Sequence, residues 1–442
     1  MNKWIWQSKT YPNFIYDEES LQPLLEDIRQ NSKKLNLMIA DNQLSTFSLD
    51  AKINSLANEI INSADIEGEI LMRESVRSSL RKKLDKDFDF LTDNHSTRHS
   101  DNYAAILLDT NLNKNPLSIE RLHGWHNCLF EGGYSGLHKI NIAQFRKDEM
   151  EIVSGSIGNE KIHYEAVLAQ DIDKNMQSFL DFCNNNNNNA YIKSAIAHLW
   201  FVIIHPYDDG NGRIARAITD FLLPNENIKL YSLSKEINLH KKEYYNILER
   251  TNAFNESCDI SEWVVWHLKI TNFALKNAIK ELDRILFKTK FWDTFKTCNL
   301  NTNQQKFLNK VLDIGINDFK GNLSLKKYMA ITQVSLDTAK KELKELLNFG
   351  CLIKKEDSDT FLLNQVFFQN PSSMSKIEAR LETQSNVNSF MQKIEQAEQD
   401  RQRSDENYKS SMNKIHTQNQ NNSTLDSIEQ SNTNRTKKKR KQ

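Results

Sequence analysis

The sequence lacks several features that would assign a 442-residue chain to a broad class at once. It has no excess of either charge, because 58 lysines and arginines balance 58 aspartates and glutamates. Whole-chain charge therefore indicates neither a nucleic-acid-binding nor a membrane-surface protein. The sequence also has no uninterrupted apolar run long enough to span a bilayer, and its first residues, MNKWIWQSKTYPNF, do not form a signal peptide.

Cysteine is also scarce, and the cysteines are not arranged in pairs. The chain has five, widely scattered and without a CxxC motif: Cys128, Cys183, Cys258, Cys298 and Cys351. An odd number without metal or redox spacing favours free thiols in a reducing compartment. We therefore expect a cytoplasmic protein that does not associate with membranes, and the length leaves room for two or three domains.

The stretch HPYDDGNGRIAR, from His205 to Arg216, is the most informative part of the chain. The preceding residues, AYIKSAIAHLWFVII, have the apolar spacing of a buried helix, which must end at Pro206. Two glycines then allow a tight turn, and a second helix is predicted to begin near Asn211. A glycine-rich turn at a helix N-terminus presents free N–H groups to an anion.

The polar residues of this stretch suit transfer of a phosphate-bearing group. An imidazole such as His205 can take a proton from an attacking hydroxyl, which contributes about 10²–10⁴ in rate. Asp209 is an oxygen ligand suited to a Mg²⁺ ion shared with a nucleotide. Arg213 and Arg216 share a helical face and can bind a polyphosphate. Backbone donors for the phosphates are expected at Gly210, Asn211 and Gly212. The alternative is a surface turn with a core histidine and two solvated arginines, but nine specified residue types in so short a window favour the functional interpretation.

This stretch resembles the signature of the Fic family, HxFx(D/E)GNGRxxR, with Tyr207 in place of the usual phenylalanine. The resemblance implies transfer of a nucleotide, most often AMP from ATP, to a protein hydroxyl. It assigns the general base to His205, the metal to Asp209 and the phosphates to Arg213 and Arg216. The hydroxyl of Tyr207 would need a hydrogen-bond partner.

A second motif lies at the end of a predicted amphipathic helix that follows Ser48. Ser63 and Glu67 share a face one turn apart, and Gly68 is a natural helix stop. Composition alone favours an ordinary helix end, but SADIEG matches the inhibitory motif (S/T)xxxE(G/N) of some Fic proteins. The resemblance implies that Glu67 pairs with Arg216 and occupies the fork meant for the γ-phosphate.

Residues 151–165 give the clearest hairpin signal, with β-type runs on both sides of a Gly-Asn turn. Fic proteins have a flap beside the catalytic histidine, to whose edge the target segment adds as a strand. The resemblance therefore implies target positioning by residues 151–165, and an ordinary structural hairpin is the alternative. The flap residues assigned to this role are Val153, Ser154, Gly155, Ser156, Ile162, His163 and Tyr164.

Three other features receive weaker assignments. Tyr244 and Tyr245 match a pair that helps to line the nucleotide pocket in the family, although core packing explains them nearly as well. His123 and His126 lack an acidic or cysteine partner at ligand spacing, which favours packed or exposed histidines over a metal site. The polar residues 86–116 predict a connection into the core.

The C-terminal part predicts three helices and a hairpin, the order of a winged helix-turn-helix. Its predicted recognition helix carries Lys340, Lys341 and Lys344, but Glu342 and Glu345 alternate with them. A duplex-binding helix usually has a more one-sided basic face, so protein contact or an architectural role is favoured and DNA contact is left open. Residues 370–442, which end in RTKKKRKQ, have the composition of a disordered tail.

Together these observations predict a mainly α fold. Its parts are an N-terminal helical domain at 1–85, the connection 86–116, a Fic-type helical core with a β-hairpin flap at 117–290, a winged helix-turn-helix at 300–366 and the tail 370–442. The predicted function is self-inhibited transfer of AMP from ATP to a Ser, Thr or Tyr hydroxyl, with Mg²⁺. Removal of AMP at the same site and nucleotide-sensing DNA regulation are the alternatives. Family precedent leaves a homodimer open, and neither the target protein nor the transferred moiety is fixed by the sequence.

Overall fold

The computed structural model describes residues 2–40, 48–85, 88–89, 93–156, 159–185, 188–224, 229–314, 323–355 and 358–364. It divides into two compact units, Met1–Asp283 and Arg284–Gln442. The tail predicted at 370–442 lies outside the described residues. So do the last two residues of the predicted winged helix-turn-helix, 365 and 366.

The first unit is mainly helical within the described residues, as the sequence predicted. Two 3₁₀ turns, Ile5–Gln7 and Ala169–Asp171, accompany its helices. The helices are α1 Glu18–Ala40, α2 Ser48–Ile66, α3 Arg73–Leu84, α4 Arg98–Leu112, α5 Ile119–Leu129, α6 Ile172–Asn185, α7 Ala190–Ile204, α8 Asn211–Leu222, α9 Leu233–Leu239, α10 Lys241–Asn252 and α11 Ser261–Phe295, which runs past the boundary of the unit.

Two antiparallel hairpins complete the described part of the first unit. One pairs β1 Tyr134–Ser135 with β2 His138–Lys139, and the other pairs β3 Glu151–Ser156 with β4 Asn159–Glu165. The second is the predicted flap, although its turn at 157–158 lies outside the described residues. A register shift between Ile152 and Val153 marks a bulge near its base.

Helix α7 is the central element of this unit, because it is buried on nearly all sides. Ala195, Leu199 and Phe201 are completely inaccessible to solvent, and α8 packs beside them through Ala215 and Ile218. A helix that is apolar around its whole circumference gains its stability from burial rather than from an amphipathic face. The core formed in this way also includes side chains from α2 to α6. It fixes the end of α7, where the predicted site begins.

The prediction of a connection over 86–116 is wrong for residues 98–112, which form α4. Thr97 caps this helix by accepting a hydrogen bond from the backbone N–H of Ser100 at 3.1 Å. Tyr103, Ala104 and Leu107 are buried in the core. These apolar residues have helical spacing, but the surrounding Asp, Asn and Ser residues gave the stretch the composition of a loop.

The second unit packs around a separate hydrophobic cluster. Its described elements after α11 are α12 Thr302–Ile314, α13 Leu325–Thr332, α14 Leu336–Asn348 and the antiparallel hairpin of β5 Leu352–Lys354 and β6 Phe361–Leu363. This order is the one predicted for a winged helix-turn-helix, and Ser335 caps α14 as expected. Lys340, on the predicted recognition helix, is only 9% exposed.

No helix in the described part of the chain is long and apolar enough to cross a bilayer. The five cysteines are all free thiols, as the sequence predicted.

Candidate active site

The glycine-rich turn joins α7 to α8 and begins at His205. Helix α7 ends at Ile204, and His205 takes a left-handed conformation with φ 51° and ψ 59°. The ring Nδ1 lies 3.3 Å from the carbonyl oxygen of Val202. Because a carbonyl can only accept, Nδ1 carries the proton and Nε2 is left as the basic nitrogen. Burial lowers the pKa of His205 to about 4, so the imidazole is neutral at neutral pH.

The side chains of Asn211 and Phe130 constrain the backbone of the turn. Asn211 accepts from the backbone N–H of Tyr207 at 3.0 Å and donates to its carbonyl at 2.7 Å. Gly210 has φ 82°, and a Cβ there would lie 2.7 Å from the ring of Phe130. The side chain of Asn211 therefore holds the turn together, while the backbone N–H groups at the start of α8 stay directed at the space above it.

The hydroxyl of Tyr207 has the partner that the substitution for phenylalanine requires. It lies 2.9 Å from Nδ1 of His123, and the Tyr207 ring stacks on His126 with centroids 4.2 Å apart. His126 in turn donates from Nε2 to the carbonyl of Asp209 at 3.2 Å. Burial lowers the pKa of His126 to about 4. Both histidines therefore brace the turn, in agreement with their assignment as packed residues.

Asp209 stands at the wall of the site with its carboxylate partly exposed, at 41%. Its Oδ1 accepts from the backbone N–H of Gly210, and its Oδ2 accepts from Ser135 on β1. No group of three or more His, Cys, Asp or Glu side chains among the described residues could hold a metal ion. A Mg²⁺ ion at Asp209 would thus be held by one carboxylate together with substrate phosphates, which is the usual arrangement for this ion.

Arg216 is enclosed by the end of α2. Its Nε donates to the hydroxyl of Ser63 at 2.9 Å, and one amino group donates to the Ser63 carbonyl and to Glu67, both at 2.8 Å. A Cβ at Gly212 would collide with the Glu67 carboxylate, so glycine is required for this close approach. Burial acts to lower the pKa of Arg216, but the Glu67 carboxylate together with Tyr244 and Tyr245 outweighs it, and the net pKa is raised. The predicted pairing of Glu67 with Arg216 is present, and Gly68 ends the helix with φ 81°.

Arg213 has a carboxylate partner that the sequence analysis missed. One of its amino groups donates to Glu69 at 2.7 Å and to the hydroxyl of Tyr103 at 3.1 Å. The other amino group lies 3.6 Å from Asp209, and the guanidinium covers the ring of Phe130 at 4.7 Å. His99 and Tyr103, both on α4, also hydrogen-bond Glu69. The spacing of Glu67 and Glu69 on either side of Gly68 was the only available signal in the sequence.

A cavity of about 530 Å³ lies above the turn, within the size range of small-molecule sites. Its wall includes His205, Asp209, Gly210, Asn211, Gly212, Glu67, Tyr244, Tyr245, His163, Tyr164, Glu249 and Asn252. Tyr244 is buried and hydrogen-bonds His198 at 2.9 Å. Tyr245 is 43% exposed and donates to the carbonyl of Ile66 at 3.0 Å, which links the pocket wall to the end of α2. Burial raises the pKa of Tyr245 to about 12, so it is a neutral donor.

The flap is attached to the rim of this cavity by charged side chains. Glu249 on α10 accepts from Lys161 at 2.6 Å and lies 3.3 Å from Nδ1 of His163. The other ring nitrogen of His163 hydrogen-bonds Ser154 across the hairpin. Val153 and Ile162, which are paired in the register, are 47% and 42% exposed. Gly155 and Ser156 pair through their backbones with Glu160 and Asn159.

Tyr164 does not lie on the flap surface, which corrects its assignment to target positioning. It is 3% exposed, and its hydroxyl donates to the carbonyl of Ile203 at 2.8 Å. Its position at the base of the hairpin turns the ring toward the core, where it anchors β4 to α7.

Parts of the chain match two family models, and several solved structures are similar to it at low identity. Residues 4–85 match a domain of unknown function, DUF4172. A Fic family protein from Desulfovibrio desulfuricans is 18% identical, with a TM-score of 0.48, over 80% of this chain and 98% of that one. A Fic domain containing signaling protein from Bacteroides thetaiotaomicron is 18% identical, with a TM-score of 0.44, over 58% of this chain and 97% of that one. Fic-1 from C. elegans is 17% identical, with a TM-score of 0.39, over 59% of this chain and 73% of that one. Residues 116–223, which include the whole glycine-rich turn, match the Fic/DOC family model.

Proposed function

We propose that this protein is a self-inhibited protein adenylyltransferase, which transfers AMP from ATP to a Ser, Thr or Tyr hydroxyl of a target protein. The observation that carries the proposal is that His205, Asp209 and the amide-lined turn face one cavity, on whose wall Glu67 pairs with Arg216. The target hydroxyl oxygen attacks the α-phosphorus, and the bond between that phosphorus and the oxygen bridging to the β-phosphorus breaks. Pyrophosphate leaves, and the hydroxyl proton passes to Nε2 of His205.

The other residues of the site bind and orient the reactants. The N–H groups at the start of α8 and the fork of Arg213 bind the phosphates, and Tyr244 and Tyr245 border the nucleotide. A bound Mg²⁺ ion neutralises charge on the phosphates, and Asp209 is the residue that would hold it. The exposed edge of the flap, at Val153 and Ile162, would add the target segment as a strand.

Inhibition follows from competition for one guanidinium. A γ-phosphate needs the donors of Arg216 that Ser63 and Glu67 already occupy. ATP then binds weakly or in a pose that does not bring the α-phosphorus to His205. The parent protein is expected to be nearly silent, and Glu67→Gly is expected to activate it.

The experiment compares labelling by α-labelled ATP with three proteins: the parent chain, Glu67→Gly, and Glu67→Gly combined with His205→Ala. Label on the protein itself or on lysate proteins should appear with Glu67→Gly and fall by about 10² or more when His205 is also replaced. A panel of other labelled nucleotides, followed by mass spectrometry, identifies the transferred moiety. If Glu67→Gly gives no label with any nucleotide, the transferase proposal fails.

A second candidate, removal of AMP, is favoured by one observation. The Glu67 carboxylate borders the same cavity as His205, so it could activate a water molecule there. Incubation of the parent protein with an AMP-modified target distinguishes the two directions. Release of AMP that requires Glu67 would support removal, whereas release that is unaffected by Glu67→Gln would exclude this role.

A further inference from the structure

Arg146 is a buried arginine just ahead of the flap, and the reaction proposed above gives it no role. It is 3% exposed, and the acceptors of its side chain are all backbone carbonyls. Burying a guanidinium costs several kcal/mol unless its donors are satisfied, so such a residue is expected to serve a specific arrangement of acceptors.

The acceptors lie in three segments of the chain. Nε donates to the carbonyl of His205 at 2.8 Å, and one amino group donates to Val167 and, at 3.4 Å, to Ile204. The other amino group donates to Asp148 at 2.7 Å. Asp148 and Val167 lie just outside the two ends of the flap hairpin. The guanidinium of Arg146 therefore joins both ends of the flap hairpin to His205.

The end of α7 shows why these donors are needed. The last carbonyls of a helix have no partners within the helix, and Pro206 has no N–H to offer them. The carbonyl of Phe201 accepts from the backbone N–H of His205, and the carbonyl of Val202 accepts from the His205 ring. The carbonyl of Ile203 accepts from the hydroxyl of Tyr164. The carbonyls of Ile204, His205 and Pro206 are left, and all three accept from Arg146, the last from its backbone N–H at 2.9 Å.

We propose that Arg146 is a positioning residue for the transfer reaction, which holds His205 in its left-handed conformation and sets the flap at a fixed place relative to it. A left-handed residue with a side chain costs about 1–2 kcal/mol, so His205 needs such external bonds to stay there. The positive charge of Arg146 also acts, after burial, to keep His205 in its neutral form. The geometry predicts an effect on turnover rather than on ATP binding, because Arg146 donates to none of the phosphate-binding groups. This inference rests on the proposed function.

The experiment uses the Glu67→Gly chain as the parent and adds Arg146→Ala, Arg146→Lys or, as a control, Arg29→Ala at an exposed site. For Arg146→Ala, kcat should fall by about 100-fold, the cost of a displacement of about 1 Å. The KM for ATP should stay within about threefold, since each factor of ten would require about 1.4 kcal/mol of lost binding. Arg146→Lys should also lose most of its kcat, because one ammonium cannot reproduce the planar fork. The Arg29 variant should match the parent.

Chemical rescue separates positioning from a general loss of structure. Guanidinium chloride, well below denaturing concentrations, should restore part of the kcat of Arg146→Ala, whereas ammonium chloride should not, and Arg146→Lys should not respond. Amide hydrogen exchange should also become faster in the flap and at the end of α7 in Arg146→Ala, whether or not any transfer occurs.

The outcomes distinguish the two proposals. If the Glu67→Gly chain gives no label, the proposed function is contradicted, and hydrogen exchange then tests the role of Arg146 alone. An active parent whose Arg146 variants keep their kcat overturns the inference. Equal losses in kcat and ATP binding without rescue by guanidinium also overturn it, because they indicate a structural role only.

Discussion

The two arginines at the start of α8 are three residues apart, yet their surroundings differ. In the Arg216 cluster, formed by Ser63, Glu67 and Arg216, one segment occupies both Nε and an amino group of the guanidinium. In the Arg213 cluster, formed by Glu69, His99, Tyr103 and Arg213, the partners hold one amino group and leave the other near Asp209. The same segment of chain, 63–69, therefore supplies partners to both arginines: Ser63 and Glu67 enclose Arg216, whereas Glu69 holds only one amino group of Arg213.

This contrast indicates that a carboxylate beside an arginine proposed to bind phosphate can either oppose or support that binding. It competes with the phosphate when it occupies the donors that the phosphate needs, and it supports binding when it holds the opposite edge. Glu67 and Glu69 are predicted to act in these opposite ways, so replacing them should change ATP affinity with opposite signs.

The largest effect is expected for Glu67→Gln, which keeps the side-chain size but removes the charge. Arg216 is then a buried cation without a counterion until a polyphosphate supplies one, and ATP affinity should rise by about tenfold or more, or about 1.4 kcal/mol. Glu67 is about one-third exposed, so the loss of stability without ATP should be only about 1–2 kcal/mol. Titration calorimetry with Mg²⁺ and ATP measures the affinity, and thermal unfolding measures the stability. Glu26→Gln, which breaks the exposed pair with Arg29, is the control. Unchanged ATP affinity would contradict a blocking role for Glu67.

Glu69→Gln, made in the Glu67→Gly chain, should change ATP affinity in the other direction. Arg213 would lose the ion pair that fixes its orientation, and affinity should fall by about three- to tenfold, or about 0.7–1.4 kcal/mol. The same calorimetry measures this change. Tyr103→Phe removes only the neutral partner of the same amino group, so it should give a smaller decrease. A rise in affinity with Glu69→Gln would mean that both carboxylates compete with phosphate and that the two clusters are equivalent.

The two clusters also differ in how well the sequence predicts them. The Arg216 cluster was predictable, because Ser63 and Glu67 share a helical face and match a motif whose glutamate is expected to pair with Arg216. The helix, turn and helix around His205 were predictable for the same kind of local reason, since Pro206, the glycines and the apolar periodicity each constrain the backbone directly.

The Arg213 cluster was not predictable, because its geometry depends on a turn after α2 and on side chains from a distant helix. Glu69 follows Gly68, whose φ of 81° redirects the chain, so helical spacing no longer applies. Its other partners come from α4, which has an N-cap and apolar spacing but a polar composition that indicated a loop. Arg146 was missed for a similar reason, since a buried arginine that binds carbonyls leaves no sequence pattern.

A smaller effect on the Arg216 cluster is expected for Ser63→Ala in the otherwise unchanged chain. This substitution removes the hydroxyl that accepts from Nε of Arg216, but the Ser63 carbonyl and Glu67 still accept from its amino group. Residues 63–67 should be held less tightly by about 0.5–1 kcal/mol, and ATP affinity should rise about two- to fivefold. Ser63→Thr keeps the hydroxyl and should bind ATP like the parent. An affinity gain as large as that of Glu67→Gln would show that the serine, rather than the ion pair, closes the site.

The smallest effect is a pH dependence that belongs to the Arg213 cluster. Burial acts to raise the pKa of Glu69, but hydrogen bonds from His99 and Tyr103 and the charge of Arg213 outweigh it, and the pKa in the folded protein lies below the free value of 4.5. Such a carboxylate contributes its full stability above pH 4.5 and loses it as the pH falls through the lower, folded-state pKa. The difference in unfolding free energy between the parent and Glu69→Gln should therefore be present at about pH 5 and should shrink as the pH falls toward 3. Urea unfolding over this range measures it, with Glu67→Gly as the common background so that the Arg216–Glu67 ion pair is absent. A difference that persists unchanged at about pH 3 would show that Glu69 acts through packing and not through its charge on Arg213.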